Sequence, residues 1–312
     1  MLVRRGPMTS DGTHSTVSVV IASVESARSI EGCVNSVRDA MARVPAEVIV
    51  VDASRDRSAD IARAALGSDC VVQLPVGTLT PDLWAEGIKR SRGTIVALTT
   101  AHFEVQPSWL VSLVSAIDDA VVGASGQIEL SGNAALTDWA VFYLRYSEFL
   151  SEPAAKLQGV ATIPADNAAY EGDAVRRFVT TSHGFWEVEF HKAVQAAGRS
   201  LAVVPNARVQ YGRSFPFRTI VTHRFHHGRH AGAWRAATGQ RSAATIAIAA
   251  PAVPLALGVR VWRRVRGLPA HRGRFIRSLP VFLTLATAWA IGEAFGAVAG
   301  SPGSERPAPV PA

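Results

Sequence analysis

Over the first two-thirds of the chain, short β-branched runs alternate with stretches whose apolar residues recur every three or four positions. Val17 to Ile21 is such a run, and Ser26 to Val44 then places Ile30, Cys33, Val34, Val37 and Met41 at helical spacing. Glu47 to Asp52 repeats the strand pattern and ends on an acid, Asp56 to Leu66 reads as a helix, and Val71 to Leu74 as a third short strand. Pro81 to Arg92 predicts a helix with Thr80 as N-cap and Pro81 at its first position, closed by Gly93 before a strand at Thr94 to Leu98. A helix over Pro107 to Asp118 and a strand over Val121 to Leu130 continue the alternation. Such an order predicts an α/β fold, a mostly parallel, Rossmann-like sheet with flanking helices. Ligands then bind beyond the strand C-termini, at the loops after Ile21, Asp52 and Leu98.

The pattern changes further on. An aromatic-rich amphipathic helix is expected over Leu136 to Leu150, then a loop with Asp166 and Asn167, a helix over Trp186 to Ala197 and a strand over Leu201 to Val204. Phe217 to Arg241 is strongly basic. Beyond it, Ser242 to Val259 carries no charge over 18 residues and Ser278 to Gly292 none over 15, lengths bordering on what a bilayer span requires. Gly292, Gly296 and Gly300 repeat at a spacing suited to close helix packing. The expected organisation is a disordered 1–15, an α/β domain over 16–241, a membrane-associated apolar helical hairpin over 242–300 and a disordered, Pro-rich 301–312.

Charge bears on topology. Arg260, Arg263, Arg264, Arg266, Arg272, Arg274 and Arg277 lie between the two apolar segments, which the positive-inside rule keeps cytoplasmic. With the α/β domain on the same side, the first segment, broken by Pro251 and Pro254, is expected to be re-entrant or interfacial; a buried hairpin in a soluble protein is the alternative. Two cysteines, Cys33 and Cys70, make neither a disulfide framework nor a zinc site, and Met1 to Ser15 lacks a signal-peptide core, so a cytoplasmic catalytic part is expected. The net charge of +7 suits an anionic partner. A nucleic acid is not expected, because no zinc knuckle, RNA-binding aromatic signature or basic heptad occurs.

Several segments carry chemistry in a fixed order. EVIVVDASRDRSADIA puts Asp52 at a strand end, where a carboxylate can accept hydrogen bonds from a ribose or a base, with Ser54 and Asp56 in the same loop; a plain turn or N-cap acid is the alternative. LWAEGIKRSRGTIVALTTAHFEVQPSWL, DNAAYEGDAVRRF and SHGFWEVEFHKAVQAAGRSLAVVPNARVQY follow. Together with TVSVVIASVESARSIEGCVNSV they resemble the family 2 glycosyltransferases, over roughly residues 16 to 230. The resemblance implies a GT-A fold and transfer of a sugar from a nucleoside diphosphate sugar, with inversion, to a membrane-linked or cell-envelope acceptor on the cytoplasmic face of the membrane.

Residue by residue, it implies Asp52, Ser54 and Asp56 on the nucleotide, Asp166, Asn167 and Trp186 on the substrate, and Glu187 as catalytic base at a helix N-terminus. Glu189 is the reserve base, and His191, one turn on, is placed to orient Glu187. One departure stands out. Where the family carries Asp-x-Asp for Mn2+ or Mg2+, this chain has Thr100, Ala101 and His102. Two accounts stay open: a divalent cation held by His102 and Thr100, or leaving-group stabilisation by Lys89, Arg90, Arg92 or the basic stretch with Arg224 and Arg229. The lost acids also leave room for a nucleotide-sugar-binding scaffold without chemistry. The clustered histidines of the basic stretch raise zinc only weakly, since no Cys or carboxylate completes a site.

Overall fold

A computed structural model of the chain describes residues 17–130, 134–150, 156–181, 184–212 and 216–300. The two expected disordered ends lie outside these residues. The chain divides into two compact units, one formed by 1–126 and 153–209 and the other by 127–152 and 210–312. The anticipated boundary at residue 241 thus falls inside the second unit.

The first unit opens with β1 (Val17–Ser23), α1 (Ile30–Met41), β2 (Ala46–Asp52), α2 (Ser58–Leu66), β3 (Val71–Gln73), α3 (Thr80–Arg90) and β4 (Ile95–Thr100). Then come β5 (Phe103–Val105), α4 (Trp109–Val114) and β6 (Val121–Leu130). α5 (Leu136–Tyr146) belongs to the second unit. β7 (Leu157–Gln158), β8 (Asn167–Glu171), α6 (Gly172–Thr181), α7 (Glu187–Ala196) and β9 (Ser200–Tyr211) complete the α/β part.

Among the described residues the strands form one sheet in the order β3-β2-β1-β4-β8-β6-β9-β5, with β7 on β9. β1 to β4 pair in parallel, and β8 runs antiparallel to both β4 and β6. The sheet is therefore mixed, its parallel half built from the βα repeats legible in the sequence. Every residue of β1 is buried, as expected of a parallel strand covered on both faces. α1 covers one face with Ile30, Cys33, Val34, Val37 and Ala40. α3 turns Leu83, Trp84, Gly87 and Ile88 inward, and a Cβ at Gly87 would collide with the Val20 side chain. Glycine there lets the helix ride directly on β1.

In the second unit, α5 is followed by α8 (Phe217–Ala237), α9 (Ala243–Ala249), α10 (Val253–Val265) and α11 (Pro269–Ala299). The two apolar segments are thus helical, the first interrupted by a 3-10 turn at Ala250–Ala252 around Pro251. α8 and α11 meet through glycines on both sides. A Cβ on Gly228 or Gly232 would strike backbone of Trp289 or Glu293, and one on Gly292 or Gly296 would strike backbone of Phe225 or Arg229. Gly300, at φ 75°, instead ends α11. Arg235 of α8 pairs with the buried Glu293 of α11, which answers a charge in an apolar helix. α5 packs on α11, its Tyr143 hydroxyl donating to the His271 carbonyl at 3.0 Å.

Candidate functional site

Strand register brings the candidate residues to one edge of the first unit. Asp52 pairs with Ser23, Ala22 with Thr100, and Thr99 with Asn167, so these strand ends line up in a row. Thr100 and Asp166 each stand one residue beyond that last pair. α3 begins at the same edge, because it follows the parallel strand β3, and the turn before α7 docks on it: Phe185 N–H donates to the Pro81 carbonyl at 2.7 Å. Gly184 in that turn adopts φ 79° and lies against Asp82 and the Trp186 indole. This fastens Trp186 and Glu187 to the row.

The β1 and β2 loops are laced together. Asp52 is fully buried; one carboxylate oxygen accepts from the Ser23 hydroxyl at 2.6 Å and the Ser54 hydroxyl at 2.7 Å, the other from the Ser54 N–H at 3.0 Å. The Ser54 hydroxyl accepts in turn from the Glu25 N–H at 2.7 Å, and the Glu25 carboxylate from the Arg55 N–H at 2.9 Å. Asp56 accepts from the Ala27 N–H at 3.0 Å and holds Ser58, whose hydroxyl receives the Ser26 N–H at 2.7 Å. Glu25, at φ 48°, is held in a left-handed conformation that only such over-determined contacts sustain. Asp52 therefore organises the two loops rather than pointing its carboxylate at solvent.

A second cluster surrounds Tyr170, which no sequence motif marks. Its ring is fully buried against Gly123, and its hydroxyl lies 3.1 Å from His191 Nε2, while His191 Nδ1 lies 3.1 Å from the Thr162 hydroxyl. Burial, then the charges of Glu187 and Asp166, push the Tyr170 phenol well above its ordinary value. Both carboxylates thus sit close enough to act on one buried hydroxyl. Burial also drives His191 down to about 4, so its imidazole is neutral near pH 7. Its two ring nitrogens are taken by Thr162 and Tyr170, so His191 does not orient Glu187 directly, contrary to the helical-spacing argument.

Other expected groups have different tasks. Asn167 is fully buried; its amide oxygen accepts from the Trp109 indole at 2.7 Å and its amide nitrogen donates to the Ala207 carbonyl at 3.2 Å. It is a strut between α4 and β9 rather than a free substrate contact. Glu189 pairs with Lys192 at 2.9 Å on the outer face of α7. Lys89, Arg90 and Arg92 lie at the opposite edge of the sheet, because α3 runs back to where β1 and β2 begin. There Arg92 N–H donates to Glu47 at 2.7 Å and Gly93 N–H to Ser18 at 2.8 Å. These basic residues are not brought to the row. Arg224 and Arg229 belong to α8 in the second unit.

The sequence model for "Glycosyl transferase family 2" matches residues 18–177, just over half of the chain. The chain belongs to this family. No curated protein matches it in sequence. Solved structures similar to it include a mannosyltransferase from Pyrobaculum calidifontis in complex with GDP-Man and Mn2+, at 15% identity over 92% of this chain and 75% of that one, TM-score 0.47. Glucosyl-3-phosphoglycerate synthase from Mycobacterium tuberculosis in complex with phosphoglyceric acid aligns at 15% identity over 66% and 75%, TM-score 0.43. S. aureus TarS aligns at 13% identity over 67% and 39%, TM-score 0.44.

The sheet and its flanking helices are those of a GT-A glycosyltransferase. The family match covers Asp52, the Thr100 to His102 turn and Asp166 but stops before α7, so Glu187 rests on local geometry. Metal ligation fits this glycosyltransferase poorly. Among the described residues no three His, Cys, Asp or Glu side chains converge as a metal site, and Thr100 and His102 supply one hydroxyl and one imidazole where paired carboxylates would hold a hard cation.

Proposed function

We propose that this glycosyltransferase takes its sugar from a nucleoside diphosphate sugar and passes it, with inversion, to an acceptor held at a membrane. The observation that carries the reading is the row along the sheet edge, from the laced β1 and β2 loops to the two carboxylates around Tyr170. The loops, keyed by Asp52, seat the nucleotide; Asp166 and Trp186 meet the sugar. Glu187 at the first turn of α7 is only part-buried, and the helix dipole favours its ionised form. It takes the proton of the acceptor hydroxyl as that oxygen bonds to the anomeric carbon, while the bond to the diphosphate breaks and the nucleoside diphosphate leaves with the electron pair. A single displacement inverts the anomeric centre.

Replacing Glu187 tests this. Glu187→Gln is expected to lower turnover by roughly 10²–10⁴-fold with nucleotide affinity retained; full activity in that variant removes the mechanism. Thr100 and His102 in place of paired acids favour a second reading, a nucleotide-sugar-binding scaffold, which predicts binding without transfer or hydrolysis across a broad donor panel.

The second unit supports the membrane part. Ala243–Val265 and Pro269–Ala299 are long and apolar enough to cross a bilayer, with peak mean hydropathies of 1.7 and 1.6, and Ile248, Leu255, Ile291 and Val298 face outward. In this reading α9 and α10, broken at Pro251, lie in the cytoplasmic interface, and the arginines from Arg260 to Arg277 stay on the same side as the α/β unit.

A further inference from the structure

Length and apolar character allow α11 to cross a bilayer; its packing argues against it. Helical spacing puts Ile276, Pro280, Thr287, Ile291 and Val298 on one stripe of this helix, all exposed and none charged. At about 3.6 residues per turn, Trp289, Gly292, Glu293 and Gly296, which meet α8, stand roughly 180° away around the axis. α8 therefore lies along the back of α11 while the stripe faces outward.

The two helices travel together. Gly228 and Gly232 bring the backbones into contact, Arg235 pairs with Glu293, and Arg229 donates from Nε to the Gly300 carbonyl at 3.0 Å. The same stretch of α8 holds His226, His227 and His230. A crossing that began after Arg277 would use about 20 residues, reach past Gly296 and draw this polar helix in among the acyl chains. Charged side chains are strongly disfavoured there. A helix that lies flat, stripe downward, leaves α8 in water.

Charge identifies the partner. Arg264 pairs with Glu148 and Arg274 stacks on Trp139. Arg260, Arg263, Arg266, Arg272 and Arg277 are exposed and pair with no carboxylate among the described residues. By helical spacing Arg272 and Arg277 flank Ile276, one on each side of the stripe, and Arg266 continues the exposed row of Leu255, Val259 and Trp262 on α10. Arginines at the rim of an apolar, tryptophan-bearing surface match anionic headgroups above acyl chains.

We propose that the second unit is monotopic: α11 lies along one leaflet of an anionic bilayer, its Ile276–Val298 stripe among the upper acyl carbons, and does not cross. The presence of a membrane rests on the function proposed above; the flat disposition rests on α8.

Depth-resolved fluorescence quenching in the full chain tests this. Bimane is attached through Ile276→Cys, Ile291→Cys, Val298→Cys or, on α8, His226→Cys, each with Cys70→Ser; the remaining Cys33 is fully buried. Vesicles of phosphatidylcholine and phosphatidylglycerol carry nitroxides at the headgroup or at set depths along the chain. The three α11 probes are expected at one shallow depth, about 5–10 Å below the headgroups, and the His226 probe should escape the chain nitroxides. A crossing helix instead spreads Ile276 and Val298 over about 33 Å, with Ile291 beyond the midplane. That gradient, or chain-depth quenching at His226, overturns the proposal and leaves the membrane reading intact. Probes on α11 that no nitroxide reaches in the bound protein overturn it as well, as does their burial in a lipid-free dimer. Vesicles that fail to bind the chain overturn both. Arg266→Gln and Arg277→Gln should each weaken vesicle binding about fivefold, the worth of roughly 1 kcal/mol, with the depths unchanged; wild-type affinity in both variants overturns the assignment of an anionic leaflet.

Discussion

Replacing Asp52 by Asn probes the lacing of the nucleotide loops, because the two side chains differ only in charge and in one oxygen becoming a donor. Asp52 accepts three hydrogen bonds, two of them from the hydroxyls of Ser23 and Ser54 on the same oxygen. In Asn that atom becomes NH2, both hydroxyls must reverse, and all three charge-assisted bonds become neutral ones. Each exchange loses about 1 kcal/mol or slightly more, the gap between bonds to charged and to neutral partners. Relief of a buried charge returns part of this, so a net loss of about 2 kcal/mol is expected. For a unit of this size that corresponds to a fall of roughly 4–8 °C in Tm. With the Glu25 turn released, UDP affinity should fall at least about tenfold in calorimetric titration, as for the loss of about 1.4 kcal/mol. A double-mutant cycle with Ser23→Ala separates this account from general damage: the hydroxyl and the carboxylate share one bond, so their coupling should reach about 1 kcal/mol. A melting curve within a degree of wild type, or a coupling of zero, refutes the argument.

His191 gives a pH test. Its folded value near 4 lies below the ordinary 6.5, so the unfolded chain binds the extra proton between those values. Stability is then fully present above about pH 6.5 and falls as pH drops toward 4, by up to roughly 3 kcal/mol; denaturant midpoints of His191→Gln should lack that component, and an unchanged slope would count against it. In the second unit, Gly292→Leu forces α8 off α11 and should cost about 2–3 kcal/mol in thermal melts, whereas Gly267→Leu, with no atom near its added Cβ, should be neutral.

The parallel half of the sheet was legible because its strands are buried on both faces, which leaves an unmistakable β-branched run, and because helices of period 3.6 separate them. β8 was not. Asn167 to Tyr170 reads Asn-Ala-Ala-Tyr, small residues that a turn would also use, and only pairing to Val96 and Gly123 makes them a strand. Tyr170 stands in the same unmarked run. Asp52 was identifiable by its place at a strand end and Ser54 by its place in the same loop, yet the third bond that encloses the carboxylate comes from Ser23, which no motif singles out. Lys89 shows the limit of proximity in sequence: only eight residues separate it from Leu98, but the helix returns to the far edge of the sheet. Gly228 and Gly232 gave no signal by themselves, since their partner glycines lie about 60 residues on and nothing local pairs the two sets.

The interlocking of α8 with α11 bears on where the chain can be cut. A truncation at residue 241, which the sequence invites, would remove Trp289, Glu293 and Gly300 and leave α8 with a bare backbone stripe at Gly228 and Gly232, two orphaned arginines and no cover. Such a fragment is suited to precipitate or to seek detergent, and its insolubility would say nothing about the α/β unit. An ending near Val209, where the compact units part, keeps residues 127–152 in the fragment but strips them of the rest of their unit. Expression of the whole chain in a membrane mimetic is therefore the workable starting point.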